Sequence, residues 1–507
     1  MKLKLAPLVL KLALLGLVSM PVLADEKPLT KKQQLEIAEG GSQIEGTTDL
    51  PTQGSMYIPY DLDVPGQSFV SSGPYIGVPL EFTGGHLLIN TPSINEDITL
   101  LQIDQNIYKR LKSMGRPVGE FLGSHILLSG LIEAAASVKN TNSNKDNSSF
   151  FNNTVSDVNL TSVNFDVYIM GPSTWTSAFI DFAYDSNIGT QTGSFSSNNR
   201  AFNSRVYVGK AFMVIGDFDK SPFYASFGQM YVPFGVYSST QASSPLTKIL
   251  GRTLARPLVV GYKQQSENSL LATAYAFKGA SHDGTTRNIN NGGLNLSYSF
   301  KQEKYRAVVG AGIIANIADS QGMQITGNNT ANPPLFGGFG GPVETYSPYG
   351  YEDPTWQVAT GNEELKHIVP AIDVNAKLKL GPNWQMIAEY VLATRKFSYE
   401  DLTYNESGAQ PQALNVELVY NIPFAKNPTS FGISYQQSSD ALAIGLPAKR
   451  VSGTLNWSWW KNTLQKFEVR HDINYKKDAL STGSGIEAPT GNGECANMAV
   501  LQFDYFF

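Results

Sequence analysis

The sequence predicts an all-β membrane protein, a closed antiparallel transmembrane β-barrel of about 16 strands with a small periplasmic N-terminal extension. Three observations predict it. The first is the chain end, Met498–Phe507, where Leu501, Phe503, Tyr505 and Phe507 share one parity and Gln502 and Asp504 the other. That is the period-2 pattern of a strand with one apolar face. Such a strand is an open edge unless another strand seals it, and a closed barrel seals every edge. The second is a regular alternation of short and long connections between amphipathic strands, as in barrels with short periplasmic turns and long outer loops. The third is a secretory N-terminus.

Lys2, Lys4 and Lys11 flank an apolar run from Leu5 to Val18, and Val22 and Ala24 stand where a signal peptidase selects small residues, so cleavage is expected after Ala24. No later run approaches the roughly 18 apolar residues of a membrane helix. Residues 25–67 are polar and broken by Gly and Pro, and read as a flexible periplasmic leader. Residues 68–118 form a small segment that is either periplasmic or plug-like. Within it Ile98, Leu101, Ile107 and Leu111 recur at near-helical spacing, with Ser93 or Asn95 as cap and Gly115 and Pro117 as stop.

The barrel is assigned to 119–507. Ile126, Leu128, Ile132, Ala134, Ala136 and Val138 alternate with Ser129, Glu133 and Ser137, lipid-facing against water-facing. Leu294, Leu296, Tyr298 and Phe300 alternate with Asn295, Ser297 and Ser299 in the same way, whereas 222–233 and 255–264 are ambiguous in facing. Short connections such as Gly171–Thr174 and Gln302–Glu303 separate long ones at Lys139–Asp157, Phe234–Leu254 and Ile317–Leu365.

Composition narrows the function. A net charge of −5 with no basic patch excludes a nucleic-acid partner, and one cysteine, Cys495, excludes an intrachain disulfide framework. His471 and Asp472 point to opposite faces of a strand, His282–Asp283 lies in a loop without a nucleophile, and no histidine has metal-ligand spacing. No enzyme, cofactor or metal is expected.

The inward positions hold charges of both signs: Glu133, Asp166, Asp181, Arg205, Arg306, Asp373, Glu389, Arg395, Glu417, Arg450, Glu468 and Arg470. Such groups cross-link strands, set ion preference in a water-filled lumen, or converge into a solute site. Phe234–Leu254, with Arg252 close by, is placed to fold inward as a constriction. The long outer loop carries Phe336, Tyr346, Tyr349, Tyr351 and Trp356, which could stack on an aromatic solute or on one another. The expected partners are outer-membrane lipid and a small solute, with oligomeric state open. A surface structural or adhesive barrel without a transport substrate is the competing reading.

Phe227-Gly228-Gln229-Met230-Tyr231-Val232-Pro233-Phe234-Gly235, with the signal peptide and the Phe-bearing terminal strand, resembles the LbtU-type siderophore porins, outer-membrane barrels of intracellular γ-proteobacteria. The resemblance implies a sixteen-stranded barrel with a periplasmic extension that imports ferric siderophore without a large plug. Phe507 resembles the signal read by the barrel assembly machinery.

Overall fold

The computed structural model describes residues 69–71, 80–83, 86–90, 96–113, 118–122, 126–141, 154–185 and 205–506, the last with gaps at 267, 285–287, 303–304, 326–342, 345–356, 359–362, 382, 423–424, 426–428, 461–462 and 482–490. Cleavage after Ala24, the leader 25–67, the loop aromatics Phe336, Tyr346, Tyr349, Tyr351 and Trp356, and the terminal Phe507 lie outside the described residues.

One sheet of eighteen strands closes on itself; without the two- and three-residue pieces Leu254–Ala255 and Phe69–Ser71, sixteen strands form the wall. They are β1 Ile126–Thr141, β2 Thr154–Met170, β3 Thr176–Asp185, β4 Arg205–Gly216, β5 Phe223–Tyr231, β6 Leu258–Lys263, β7 Ser269–Phe277, β8 Asn291–Lys301, β9 Tyr305–Ile314, β10 Ala371–Leu380, β11 Trp384–Ala393, β12 Gln412–Asn421, β13 Thr429–Ser439, β14 Lys449–Trp457, β15 Thr463–Ile473 and β16 Cys495–Phe506. Each is antiparallel to its neighbours in chain order, and β16 closes on β1 from Ala496↔Thr141 to Phe506↔Leu131. The ladder thereby closes on itself and pairs its backbone groups strand to strand, as a bilayer demands. Among the described residues no helix is long and apolar enough to cross a membrane.

The alternation reads out as expected. Outward positions such as Leu294, at 57 % exposure, Leu296 and Val451 are bare apolar surface, while the inward Asn295, Ser434 and Gln436 are buried. The lumen is therefore lined by buried polar side chains. The facing of 222–233 is resolved: Tyr224 and Ser226 point in, Phe223 and Phe227 point out. β1 continues past the last paired residue of β16, and there Phe69–Ser71 runs parallel to Ile126–Leu128 and covers the free edge. The end of the barrel carrying the short turns is taken as periplasmic.

The helix expected between 95 and 114 is α1, Glu96–Ser113, with Glu96 and Asp97 in its first turn, where the helix dipole favours carboxylates. A second, short helix, α2, Leu246–Gly251, lies in the connection between β5 and β6.

Candidate functional site

The lumen is narrowed by the connection between β5 and β6, residues 232–257. Two glycines in the Phe227–Gly235 stretch set its course. Gly228 has φ +133, and a Cβ there would stand 2.4 Å from the Ala211 carbonyl oxygen. Gly235 has φ +77, and a Cβ would meet the Tyr237 ring at 2.4–2.7 Å. Tyr237 itself has φ 53, so the backbone turns sharply inward here. Val232, Phe234, Tyr237, Leu246 and Leu250 then bury themselves in a core shared with the inward Val259, Leu271, Tyr275, Ile314 and Val391. Gly235→Ala should lower the unfolding temperature of the barrel in detergent, since strain of this kind costs about 1–3 kcal/mol. An unchanged heat-modifiable gel shift would contradict that role for Gly235.

Irregular backbone inside a barrel leaves peptide groups that need partners. Three glutamates on the wall supply acceptors. Glu389 of β11 accepts from Val236 N at 2.7 Å, Tyr237 N at 2.8 Å and Thr247 Oγ1 at 2.7 Å. Glu417 of β12 accepts from Ser239 Oγ at 2.6 Å, Thr240 N at 2.9 Å and Thr240 Oγ1 at 3.0 Å. Glu468 of β15 accepts from Ser243 N at 2.7 Å and Ser243 Oγ at 2.6 Å. Gln436 of β13 takes the first amide of α2, Leu246 N, at 2.9 Å.

Bases on the same wall meet the loop carbonyls. Arg450 Nη1 donates to Ser244 O at 3.3 Å and grips Asp472 through Nε at 2.7 Å and Nη2 at 3.2 Å. Lys466 Nζ donates to Gln241 O at 3.4 Å. Hydrogen bonds to charged groups contribute about 1.5–3 kcal/mol each, so these contacts hold the loop inward strongly.

What the loop leaves facing the open lumen is basic. Leu246 and Leu250 of α2 are buried, while Lys248 is only half-buried. The Lys248 ammonium interacts with Arg252 and Lys466 as like charges and with Glu133 as an opposite one. Arg252 stacks over the Tyr231 ring at 4.4 Å and donates from Nε to Gln321 at 3.0 Å. On β1 and β16, Glu133 accepts from Gln502 Nε2 at 2.8 Å, and that amide also reaches Asp504 at 2.8 Å. A strip of carboxylates on one part of the wall and a strip of cations on the loop result, across which a field acts on any solute.

The outer side of the loop is capped. Ser320 Oγ donates to Leu250 O at 2.7 Å and Gln321 N to Arg252 O at 2.9 Å, while Met323 is fully buried. Asp319, in the same outer segment, accepts from Ser281 N and Asn291 Nδ2, each at 2.7 Å, and burial raises its carboxyl above the usual range against those bonds.

On the periplasmic side α1 lies against inward side chains of β2–β5. Ile98, Leu100, Leu101 and Tyr108 share a core with Tyr168, Phe179, Phe212 and Tyr224. Its acidic first turn makes the polar contacts: Glu96 pairs with Lys210, which also stands 3.6 Å from Asp181, and Asp97 accepts from Ser226 Oγ at 2.6 Å. Further along, Tyr168 donates to Asp104, and Gln105 donates to Asp219 at 2.7 Å.

Of the residues expected in the lumen, Glu133, Asp166, Asp181, Asp373, Glu389, Glu417, Arg450, Glu468 and Arg470 face inward, and Arg306 pairs in register with inward Lys301. Arg205 sits opposite Asp185, its side chain outside the described residues. Arg395 is a correction. Strand β11 ends at Ala393, where Thr394 N bonds to Pro370 O, and Arg395 is an exposed outer-loop residue donating to Ile368 O. The inward charges do not converge into one solute site. Four of them, Glu389, Glu417, Arg450 and Glu468, bind the loop together with Lys466 of the same inward face, and Gln436, Lys210 and Ser226 are partners that periodicity alone did not single out. One signal was present, the hydroxyl-rich run Ser238-Ser239-Thr240 and Ser243-Ser244, a row of donors in search of acceptors. His282 and Glu364 meet in an isolated bridge, and His471 faces outward while Asp472 faces in, which separates that pair as expected.

No family model matches the chain. Among curated proteins it is 32 % identical over 445 residues to a UPF0422 protein of Coxiella burnetii, covering 87 % of this chain and 84 % of that one. It belongs to the UPF0422 family. The UPF0422 protein lpl2888 of Legionella pneumophila is 34 % identical over 447 residues, covering 86 % of this chain and 76 % of that one. Similar solved structures include the outer membrane channel DcaP of Acinetobacter baumannii, at 13 % identity and TM-score 0.41 over 76 % of this chain and 97 % of that one. The anion-selective porin of Comamonas acidovorans has 10 % identity and TM-score 0.43 over 75 % and 99 %.

Proposed function

We propose that this UPF0422 protein is a porin-like channel of the outer membrane for uptake of small solutes, narrowed by its inward loop and not an enzyme. The observation that supports this most is the row of wall glutamates holding residues 232–257 across the lumen, with Lys248 and Arg252 left facing the path. A structural or adhesive barrel has no need of such a loop. Glu133, Arg252 and Arg470 are the charges that border the path in this reading, and α1 stops its periplasmic side. In the cell the signal peptide is cleaved after Ala24, the extension begins in the periplasm, and the assembly machinery reads the terminal Phe507.

The LbtU-type resemblance gives the solute class, a ferric siderophore. A strain lacking the protein should take up iron–siderophore complexes more slowly. Unchanged iron uptake with altered permeation of sugars would leave a general porin and remove the siderophore. Phe507→Asp should reduce the amount of folded protein in outer-membrane fractions severalfold, and normal levels would show that the terminal aromatic is dispensable.

A further inference from the structure

The lipid-facing wall carries a groove over β12–β15. Gly453 of β14 faces outward between Ile433 of β13 and Val469 of β15, and a Cβ there would find open space, with the Gly432 carbonyl 4.0 Å away. The hollow is about 640 Å³, walled by Leu418, Ile433, Val451 and Val469. One rung nearer the extracellular rim polar residues join the outward face. Tyr435, His471 and Asn497 stand there with Val451, and the next rung places Gln437 and Lys449 beside Ile473 and Cys495. His471 Nδ1 and Asn497 Oδ1 are 2.7 Å apart, and Tyr435 OH donates to Gln437 Oε1 at 3.0 Å. No outward position on these three rungs of β13–β16 holds Asp or Glu.

An apolar hollow facing hydrocarbon stays dry and is filled by hydrocarbon, which in a bilayer means an acyl chain. A lysine and a histidine in the lipid-facing wall are costly in the hydrocarbon and fit the headgroup level, where an anionic group answers them. We propose that this face binds a phosphorylated acyl lipid of the outer leaflet, one chain lying over Gly453 and its phosphate meeting Lys449 and His471. The Lys449 ammonium supplies charge and donors, His471 as imidazolium donates from Nε2 to the phosphate, and the Nδ1–H bond to Asn497 Oδ1 fixes the imidazole orientation. The site is independent of the channel reading, because it lies on the opposite side of the wall from the lumen.

The test is native mass spectrometry of the full chain, released from detergent, with diphosphoryl lipid A and with a phosphate-free acylated disaccharide as probes. The wild type should retain lipid A and not the phosphate-free probe. Lys449→Ala with His471→Ala should weaken retention roughly fivefold to tenfold. Gly453→Leu should abolish it by filling the hollow. The paired surface variant keeps the test decisive should Gly453→Leu assemble poorly. Equal retention of both probes, or equal lipid A retention by wild type and variants, would overturn the site. So would variants that change only the oligomer mass, which would make this face an interface between copies of the chain.

Discussion

Replacing Glu389 and Glu417 together with alanine should widen the channel. The two carboxylates accept six hydrogen bonds from Val236, Tyr237, Ser239, Thr240 and Thr247, four residues of which lie on the bend that enters the lumen. At about 1.5–3 kcal/mol for each bond to a charged acceptor, the loss falls on the 236–240 bend itself, whereas the remaining anchors at Glu468, Gln436, Arg450 and Lys466 hold only residues 241–246. Both glutamates are fully buried, so truncation also leaves amide donors without partners in a dry interface. The wall itself keeps its ladder, because the side chains point inward. The expected phenotype is a folded, heat-modifiable barrel that admits larger neutral sugars in liposome swelling. Glu389→Gln with Glu417→Gln should lie between the two, since the amide still accepts. A double alanine variant with the wild-type size limit would show that apolar packing of Phe234, Tyr237, Leu246 and Leu250 holds the loop unaided.

Deleting Glu96–Ser113 should increase conductance by opening the periplasmic side. The helix contributes four buried apolar side chains to the lumen core and sets Glu96 against Lys210. A milder variant separates plugging from folding. Lys210→Ala leaves Glu96 buried without its cation, a change that costs about 3–5 kcal/mol for a buried pair and should release the helix while the barrel stays closed. Frequent large conductance steps in Lys210→Ala, absent from the wild type, are the expected result. Wild-type steps in both the deletion and Lys210→Ala would show that α1 does not limit flow.

Much of the wall was legible because a membrane imposes a strict two-residue period, and the outward Leu294, Leu296 and Val451 obey it without exception from tertiary context. Arg395 was misplaced because parity continues past a strand end, and only the turn at Thr394 stops it. The lumen charges were legible as inward but not in their roles. A carboxylate that faces water and one that binds a peptide amide leave the same trace in the pattern, so nothing in the residues around Glu417 separates it from Glu133. The hydroxyl run from Ser238 to Ser244 was the available sign, and reading it needed the fold to bring it within reach of β12 and β15. The contacts of α1 with Lys210 and Ser226, more than a hundred residues apart in sequence, depend on long-range topology and have no local signature.

Single-channel conductance in planar bilayers, recorded for the intact protein beside the Glu389→Ala, Glu417→Ala variant, tests the central claim most directly. Small discrete steps from the intact protein and clearly larger ones from the variant are predicted. Silent bilayers with both proteins would contradict a channel, and steps of equal size would contradict a lumen set by the glutamate-held loop.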